Sequence, residues 1–449
     1  MTPPVSPSIT FPPRGWNSWD CFGGSVTEAE ILANAQFIHE HLLTHGWDTV
    51  VVDIQWYEPS PGTADYNARS AAVIDAYGRP LPAENRFPSA AGGAGFGPLA
   101  QAIHALGLRF GVHLMRGIPR RAVAANTPIL GTSYTARDIT ASPADRCPWN
   151  PDDEGVQPDH PGSQAWYDSL LALLADWGVD FVKVDDVLYP PIRRPDITMI
   201  YRAIKHSGRD ITLSLSPGRE LSLEHAHFLR EHAQMWRVSD DLWDDWEAVA
   251  EQFQRAARWA AIQSDDGVGD LDMLPLGRLG LRAHVGSARD SRLSLDEQRT
   301  MLTLWSMARS PLMMGGHLPA SCPETIALLR NDAVLALGER GTDCREIIRD
   351  GDLVVWRSTL RPPRSHPGPP QEVRAVFNLG DKPRTHRLHM ADLGLGNATD
   401  HLTDLWTGER IGALDGWWEI DLPAHGCTVA ATAWATSGPD ATAHRDLIP

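Results

Sequence analysis

Two short motifs in the middle of the chain combine carboxyl groups with a cation. K-V-D-D begins at Lys183 and includes Asp185, whereas R-V-S-D-D begins at Arg237 and ends at Asp241. Because side chains alternate along a strand, Lys183 and Asp185 should point to the same side of theirs. A cation beside a carboxyl group favours its ionised form, which suits a nucleophile. With a second carboxyl group as proton donor, such a site could hydrolyse a glycosidic bond.

The residues alone leave other interpretations of these acids open. Carboxylates at strand ends also serve as helix caps or form salt bridges at the rim of a domain. Carboxylates and histidines can also bind a divalent ion, which would make the protein a metal-dependent barrel hydrolase. We expect the site to use neither a metal ion nor another cofactor.

The first three quarters of the chain alternate short apolar stretches with amphipathic helical patterns. The apolar stretches are nearly continuous, as expected of parallel strands covered on both faces. A capping box at Thr27 and Glu30 should open one helix, and helical periodicity also covers residues 164–177 and 295–308. Repeated βα units of this kind predict a (β/α)8 TIM barrel. The clearest predicted strands span residues 49–53, 110–114, 181–185, 211–215 and 235–239.

Several of the predicted strands end in, or are followed at once by, a polar or acidic residue. The active sites of TIM barrels are built at the C-terminal ends of the strands, so these residues are candidates for one common site. They are Asp53, His113, Asp185, Ser216 and Asp240.

The pattern changes at about residue 344. Short alternating stretches at 353–356, 372–377 and 417–420 are separated by turns rich in proline and glycine. This pattern predicts a small antiparallel β domain, most simply a β-sandwich. We therefore expect a catalytic barrel in residues 1–340, an antiparallel β domain in residues 341–437, and a tail in residues 438–449.

Composition narrows the kinds of partner the protein can have. The chain has 449 residues, 42% hydrophobic and 22% charged, as in ordinary globular proteins. The formal net charge of -17 would repel phosphate backbones, so we expect no nucleic acid partner. No stretch reaches the roughly 20 apolar residues that span a bilayer, and no signal peptide is visible, which predicts a cytoplasmic protein without a membrane partner. The oligomeric state stays open.

A series of motifs runs through residues 14–320. They are G-W-N-S-W at 15–19, V-D-I-Q-W at 52–56, R-F-P at 86–88, V-D-F-V-K-V-D at 179–185, W-R-V-S-D-D at 236–241 and D-L-D-M-L at 270–274. Together, and in this order, they resemble the α-galactosidases of glycoside hydrolase family 27. That family has a (β/α)8 barrel followed by an antiparallel β domain, the architecture that the strand pattern predicts here.

The resemblance implies a role for individual residues. Asp185 would be the nucleophile that forms a covalent glycosyl-enzyme, and Asp241 would be the general acid/base. The acids beside them, Asp186 and Asp240, would be structural, and Asp244 would be a charge at the start of the next helix. The residues expected to bind substrate are Trp19, Asp53, Trp56, His113, Lys183, Ser216, Arg237 and Asp272.

This sequence departs from the family pattern at positions that touch the sugar in relatives. The second of two consecutive family acids after the second strand is Ile54 here, and Ser216-Pro217-Gly218 stands where the family often has C-E-W. His113 lies where the family usually has Y-A-D, as either an ordinary core histidine or a substitute hydroxyl contact. These departures affect which sugar is bound and leave the catalytic pair intact.

The resemblance therefore implies a retaining α-glycosidase that hydrolyses terminal α-galactosides, with an oligosaccharide or glycoside as substrate. The same mechanism on a related sugar is the alternative, either a β-L-arabinopyranoside or an α-glucoside in an isomalto-type linkage. A carbohydrate-binding barrel without turnover is an alternative of a different class, which the presence of both Asp185 and Asp241 disfavours.

Overall fold

Eight parallel strands form the N-terminal part of the molecule. The computed structural model describes residues 12–63, 66–365, 368–395, 401–412 and 416–432. The parallel strands are β1 Arg14–Asn17, β2 Thr49–Val52, β3 Arg109–Met115, β4 Phe181–Asp185, β5 Thr212–Leu215, β6 Met235–Arg237, β7 Val268–Asp270 and β8 Leu312–Met314. They pair in the order β8-β1-β2-β3-β4-β5-β6-β7. Leu274, just after β7, closes the ring by donating its N–H to Met313 O over 2.7 Å.

Each of these strands is followed by a helix. The helices are α1 Glu28–His41, α2 Gly97–Ala105, α3 Pro161–Asp176, α4 Arg194–Ser207, α5 Ala226–His232, α6 Trp246–Trp259, α7 Leu295–Met307 and α8 Asp332–Arg340. Shorter helices lie in the loops at Trp19–Phe22, Arg120–Ala125, Ala136–Ile139 and Pro323–Leu328. The predicted (β/α)8 barrel is confirmed.

Alternation along the strands separates the barrel interior from the layer under the helices. In β4, Val182 and Val184 belong to the large core that the helices cover, whereas Phe181 belongs to the cluster inside the barrel. Lys183 and Asp185 share the phase of Phe181 and therefore point inward. The capping box at the start of α1 forms as its sequence predicts, with Thr27 N donating to Glu30 Oε2 over 2.9 Å.

A β-sandwich follows the barrel, as predicted. Its strands are β9 Gly341–Asp350, β10 Leu353–Leu360, β11 Gln371–Asn378, β12 Arg384–His389, β13 His401–Asp404, β14 Arg410–Gly412, β15 Trp417–Leu422 and β16 Cys427–Thr432. Six of them form a sheet in the order β9-β10-β11-β16-β13-β14, and β12 pairs with β15. The division of the chain into domains stays a prediction, and the expected tail at 438–449 lies outside the described residues.

The central strands of the six-stranded sheet are covered on both faces. On one face, Phe377 packs edge to face against Phe253 of α6, with ring centroids 4.9 Å apart. On the other face, Val355 and Val376 share a separate core with Trp418 and Ile420 of β15. The barrel and the sandwich therefore share a continuous apolar core. Among the described residues, no helix has the length and apolarity to cross a membrane.

Candidate active site

Polar side chains from six of the eight strands converge at the C-terminal mouth of the barrel. At this end of the barrel, the inward-pointing side chains of these strands are polar, and active sites of TIM barrels are built here. The side chains are Asp53 after β2, His113 in β3, Lys183 and Asp185 in β4, Ser216 after β5, Arg237 in β6 and Asp272 after β7.

Asp185 is a buried carboxylate surrounded by groups that favour its charge. Its Oδ2 lies 2.9 Å from Nε2 of the fully buried His113. Burial alone would raise the pKa of Asp185, but Lys183, His113 and a hydrogen bond from Ser216 outweigh it, so the pKa lies well below the ordinary value. The carboxyl group is therefore ionised and anchored, which are the two properties a nucleophile needs.

Lys183 and Asp53 form a second charged pair next to Asp185. Lys183 Nζ lies 2.9 Å from Asp53 Oδ2, which also accepts a hydrogen bond of 2.7 Å from Asn17 Nδ2. Burial opposes the charge on Asp53, yet Lys183 and His113 hold its pKa below the ordinary value. This arrangement presents an ammonium and a carboxylate to the same small volume, as binding of neighbouring sugar hydroxyls requires.

Asp241 follows β6 and is much more exposed than Asp185. Its side chain is 51% exposed, and its Oδ1 accepts a hydrogen bond of 3.3 Å from Arg237 Nη2. Arg237 also binds Asp272 through Nη1 over 2.6 Å, and Asp272 Oδ2 accepts the N–H of Leu242 over 2.6 Å. Burial raises the pKa of Asp272 against the effect of Arg237. Arg237 and Asp272 thus fix the segment that carries Asp241.

Three aromatic rings from separate loops close one side of the mouth. Trp19 stacks on Tyr66 with centroids 5.2 Å apart at 21°, and His284 lies 5.7 Å from Trp19 and 5.6 Å from Tyr66. Trp19 was predicted from its motif, whereas Tyr66 and His284 were missed. Both lie in long irregular loops where neither periodicity nor motif spacing marks a residue.

The base of the pocket is apolar. Ile54 is 1% exposed and packs in one cluster with Trp19, Cys147 and the methionine side chains below. The resemblance noted above implies a second acid at this position, and the structure has a hydrocarbon surface there instead. The methionines of this floor are Met115, Met235, Met273 and Met313.

The backbone takes a left-handed turn after three of these strands. Gln55, Asp186 and Asp272 have φ values of 62°, 66° and 88°. This region is uncommon for residues other than glycine and often marks functional sites.

The prediction that Trp56 binds substrate is wrong, because its side chain does not line the pocket. Its side chain is fully buried, its ring packs against Phe96 and Trp177, and its indole N–H donates to His113 O over 2.8 Å. Trp56 keeps the phase of Val50 and Val52 of β2, whose side chains lie in the same layer. The residue therefore supports β3 from the layer between strands and helices.

The neighbouring acids have structural partners. Asp186 accepts hydrogen bonds from Arg116, including one of 2.7 Å from Nη2, and Asp240 accepts the hydroxyl of Tyr189. Asp244 was expected as a charge at the start of the next helix; it lies two residues before α6, and its side chain is fully buried. Its partners are the guanidinium groups of Arg289 and Arg292 at 2.6 Å and 3.1 Å.

The comparisons with known proteins agree with this site. A family model described as "Alpha galactosidase A" matches residues 153–340. The chain is 25% identical to the "Alpha-galactosidase" of Coffea arabica over 422 residues, which is 92% of this chain and 91% of the relative. A similar protein from rice, also named "Alpha-galactosidase", is 24% identical over 93% of this chain and 83% of its own length.

Solved structures include a more similar relative. The family 27 β-L-arabinopyranosidase of Geobacillus stearothermophilus is 44% identical, and the alignment covers 96% of this chain and 98% of that one with a TM-score of 0.90. A second structure of that enzyme, with a TM-score of 0.89, holds arabinose. Near-complete coverage at this identity shows that the chain is a retaining glycoside hydrolase and belongs to glycoside hydrolase family 27.

Proposed function

We propose that the enzyme hydrolyses terminal α-galactosides with Asp185 as nucleophile and Asp241 as general acid/base. The observation that carries this proposal is the contrast between the two carboxyl groups. Asp185 is buried, anchored by His113 and held in its charged form, whereas Asp241 is half exposed beside Arg237. Pairs of carboxyl groups in contrasting environments are the recurrent arrangement of glycosidases.

The reaction would proceed by two displacements. Asp185 attacks the anomeric carbon while Asp241 gives a proton to the leaving oxygen, and a covalent glycosyl-enzyme results. Asp241 then takes a proton from water, which displaces Asp185 and restores the original anomeric configuration. Lys183, Asp53 and Arg237 would hold the hydroxyls of the sugar throughout.

β-L-Arabinopyranoside is a second candidate substrate, and Ile54 is the observation that favours it. This sugar has the ring stereochemistry of an α-galactoside but lacks the hydroxymethyl group at C5. Ile54 and the adjoining Cys147 and Trp19 offer an apolar surface with no acceptor for that hydroxyl. The Geobacillus stearothermophilus enzyme, 44% identical to this chain, is a β-L-arabinopyranosidase.

Substrate comparison tests both candidates. We expect 4-nitrophenyl α-galactoside to be hydrolysed with α-galactose as the first product, as followed by NMR. Values of kcat/KM for this substrate, for β-L-arabinopyranoside and for α-glucoside rank the sugars. A preference above tenfold for the glucoside would overturn the galacto-configured proposal, and an inverted first product would overturn the mechanism. Activity that persists in excess chelator would exclude the metal-dependent alternative.

The variant Ile54→Asp separates the two candidate sugars. Restoring a carboxylate beside C5 should raise the ratio of galactoside to arabinopyranoside kcat/KM by about tenfold, because one hydroxyl gains a charged acceptor. Ile54→Leu, which keeps the wall apolar, is the matched control and should leave the ratio within twofold. An equal response of both variants would show that Ile54 does not face C5.

A further inference from the structure

Three aromatic side chains lie close to the segment that carries Asp241. Trp149, Tyr189 and Trp243 belong to the loops after β3, β4 and β6, and each is partly exposed. Trp149 and Trp243 pack against the apolar cluster inside the barrel. Rings that are fixed on one side and exposed on the other offer a flat face to a ligand.

Tyr189 connects these rings to the segment of Asp241. Its hydroxyl donates a hydrogen bond to Oδ1 of Asp240, the residue before Asp241. Its ring lies 5.4 Å from that of Trp149 at 77°, an edge-to-face contact. Burial and the charges of Asp240 and Asp241 raise the pKa of Tyr189, so its phenol stays neutral and within electrostatic range of Asp241.

The two loops that carry Trp149 and Tyr189 are held to one another. Asp145, four residues before Trp149, accepts a hydrogen bond of 2.9 Å from Arg116 and one of 3.1 Å from Arg193. Arg193 itself lies four residues after Tyr189. Because Arg116 also binds the backbone and carboxylate of Asp186, both loops are tied to the end of β4. The aromatic rings are therefore positioned before a ligand arrives, which lowers the entropic cost of binding.

Building on the proposed function, we propose that Trp149, Tyr189 and Trp243 form the binding site for the leaving group, and that the leaving group is a sugar ring. A general acid must lie next to the leaving oxygen, so groups around Asp241 contact the leaving group. Aromatic faces bind the C–H face of a pyranose, and the partly exposed carboxylate of Asp240 accepts hydrogen bonds from its hydroxyls. An alkyl or plain aryl group has no hydroxyl to offer Asp240.

The test compares leaving groups on the same glycon. The leaving group of a glycosyl fluoride is a single fluoride ion, which is too small to contact these rings, whereas the leaving group of a disaccharide is a full sugar ring. In Trp149→Ala and Trp243→Ala, kcat/KM for the disaccharide should fall about tenfold more than kcat/KM for the fluoride, the loss expected of one stacking contact. Asp240→Asn should also lower kcat/KM for the disaccharide more than kcat/KM for a 4-nitrophenyl glycoside, whose leaving group offers no further hydroxyl.

Controls make each outcome informative. Trp417→Ala removes an exposed tryptophan of β15 in the sandwich and should leave kcat/KM unchanged for both the disaccharide and the fluoride. Where an alanine variant fails to fold, Trp149→Phe and Trp243→Phe keep a ring and should keep most of the disaccharide preference. Equal losses on disaccharide and fluoride in the folded variants would overturn the site, and a selective loss on 4-nitrophenyl glycosides would replace the sugar with an aryl group. Failure of the wild-type protein to use galactosyl and arabinopyranosyl fluorides would instead overturn the proposed function.

Discussion

The charge on Asp185 depends on side chains that β3, β4 and the segment after β5 supply. His113, Lys183 and Ser216 are distant in sequence from one another and meet only because parallel strands bring their C-terminal ends together. A carboxylate in this position would otherwise be penalised by burial. The barrel thus makes a buried charge stable at the point where a nucleophile is needed.

We expect Asp185→Ala to lower kcat by more than about a thousandfold, because no other group can form the covalent intermediate. Sodium azide should restore part of the turnover and yield a glycosyl azide of inverted configuration, identified by NMR. Asp186→Asn is the control, since Asp186 pairs with Arg116 and should affect turnover far less. Substantial activity in Asp185→Ala would exclude it as nucleophile.

Asp241→Ala should impair substrates according to their leaving groups. A general acid typically raises the rate about 10²–10⁴-fold, and its loss has the full effect where the leaving oxygen must be protonated. We expect losses of that size on disaccharides and much smaller ones on 2,4-dinitrophenyl glycosides, from steady-state kinetics. A uniform loss on both would point to a structural role for Asp241 and make Asp240 the next candidate.

Lys183→Met should move the acid limb of the pH profile. Lys183 lowers the pKa of Asp185, so removing it raises that pKa, and kcat/KM should begin to fall at a higher pH than in the wild type. Profiles of kcat/KM from pH 3 to 8 measure the shift. Lys205→Met alters an exposed lysine of α4 and should leave the limb in place. An unchanged limb in Lys183→Met would mean that another group sets it.

Among the loops, the one after β6 is fixed by a buried carboxylate. Asp244 is fully buried between Arg289 and Arg292, and it lies three residues after Asp241. Hydrogen bonds from the two arginines outweigh burial and lower the pKa of Asp244 to about 2. Arg289 belongs to the loop that also carries His284, so the side chain of Asp244 links the segment of Asp241 to the aromatic rings at the mouth.

Asp244→Asn should lower the free energy of unfolding by about 3 kcal/mol at pH 7. Removing one partner of a buried ion pair costs about 3–5 kcal/mol, and we expect the lower end of this range because the side chain of Arg292 is largely exposed. The folded pKa is depressed, so this stabilisation is present above the unfolded value near 3.8 and is lost as pH falls towards 2. Urea unfolding at several pH values measures it. Asp265→Asn is the matched control, because Asp265 also pairs with two arginines but is 59% exposed, and should cost less than about 1 kcal/mol. Equal costs would refute the role of burial.

Sequence predicts most of the barrel because its strands are bounded apolar stretches. The strand Phe181–Asp185 has the predicted limits, and the one at Met235 ends two residues earlier than expected. The site is harder, because a motif marks a residue without showing which layer of the barrel its side chain enters. Trp56 was misplaced for this reason, although it keeps the outward phase of Val50 and Val52. Tyr66 was missed because only the path of a long loop brings it to the mouth.

At the scale of the whole molecule, barrel and sandwich share a core. Besides the contact of Phe253 with Phe377, the indole N–H of Trp406 donates to Thr303 of α7 over 3.0 Å, and Thr300 donates its hydroxyl to His425 O over 2.7 Å. The sandwich therefore covers α6 and α7, the two helices next to the strands that supply Arg237 and Asp272. We expect the two parts to unfold together.

Phe377→Ala should lower the free energy of unfolding by about 3–5 kcal/mol, because it leaves a cavity between sheet and helix. It should leave kcat/KM at 25 °C within twofold, since Phe377 is remote from the pocket. Chemical denaturation followed by both tryptophan fluorescence and activity should show one coincident transition. Two separate transitions would show that the sandwich is stable by itself. Trp417→Ala, on the exposed side, should cost less than about 1 kcal/mol.

The four methionines under the pocket give the enzyme a specific chemical weakness. A thioether is flexible and fills irregular space, which lets the floor adapt when the wall above it changes. Oxidation would turn each thioether into a polar sulfoxide directly beneath the bound sugar. The four side chains are between 2% and 8% exposed. We therefore expect peroxide to lower the activity of the enzyme, and a ligand in the pocket to slow that loss.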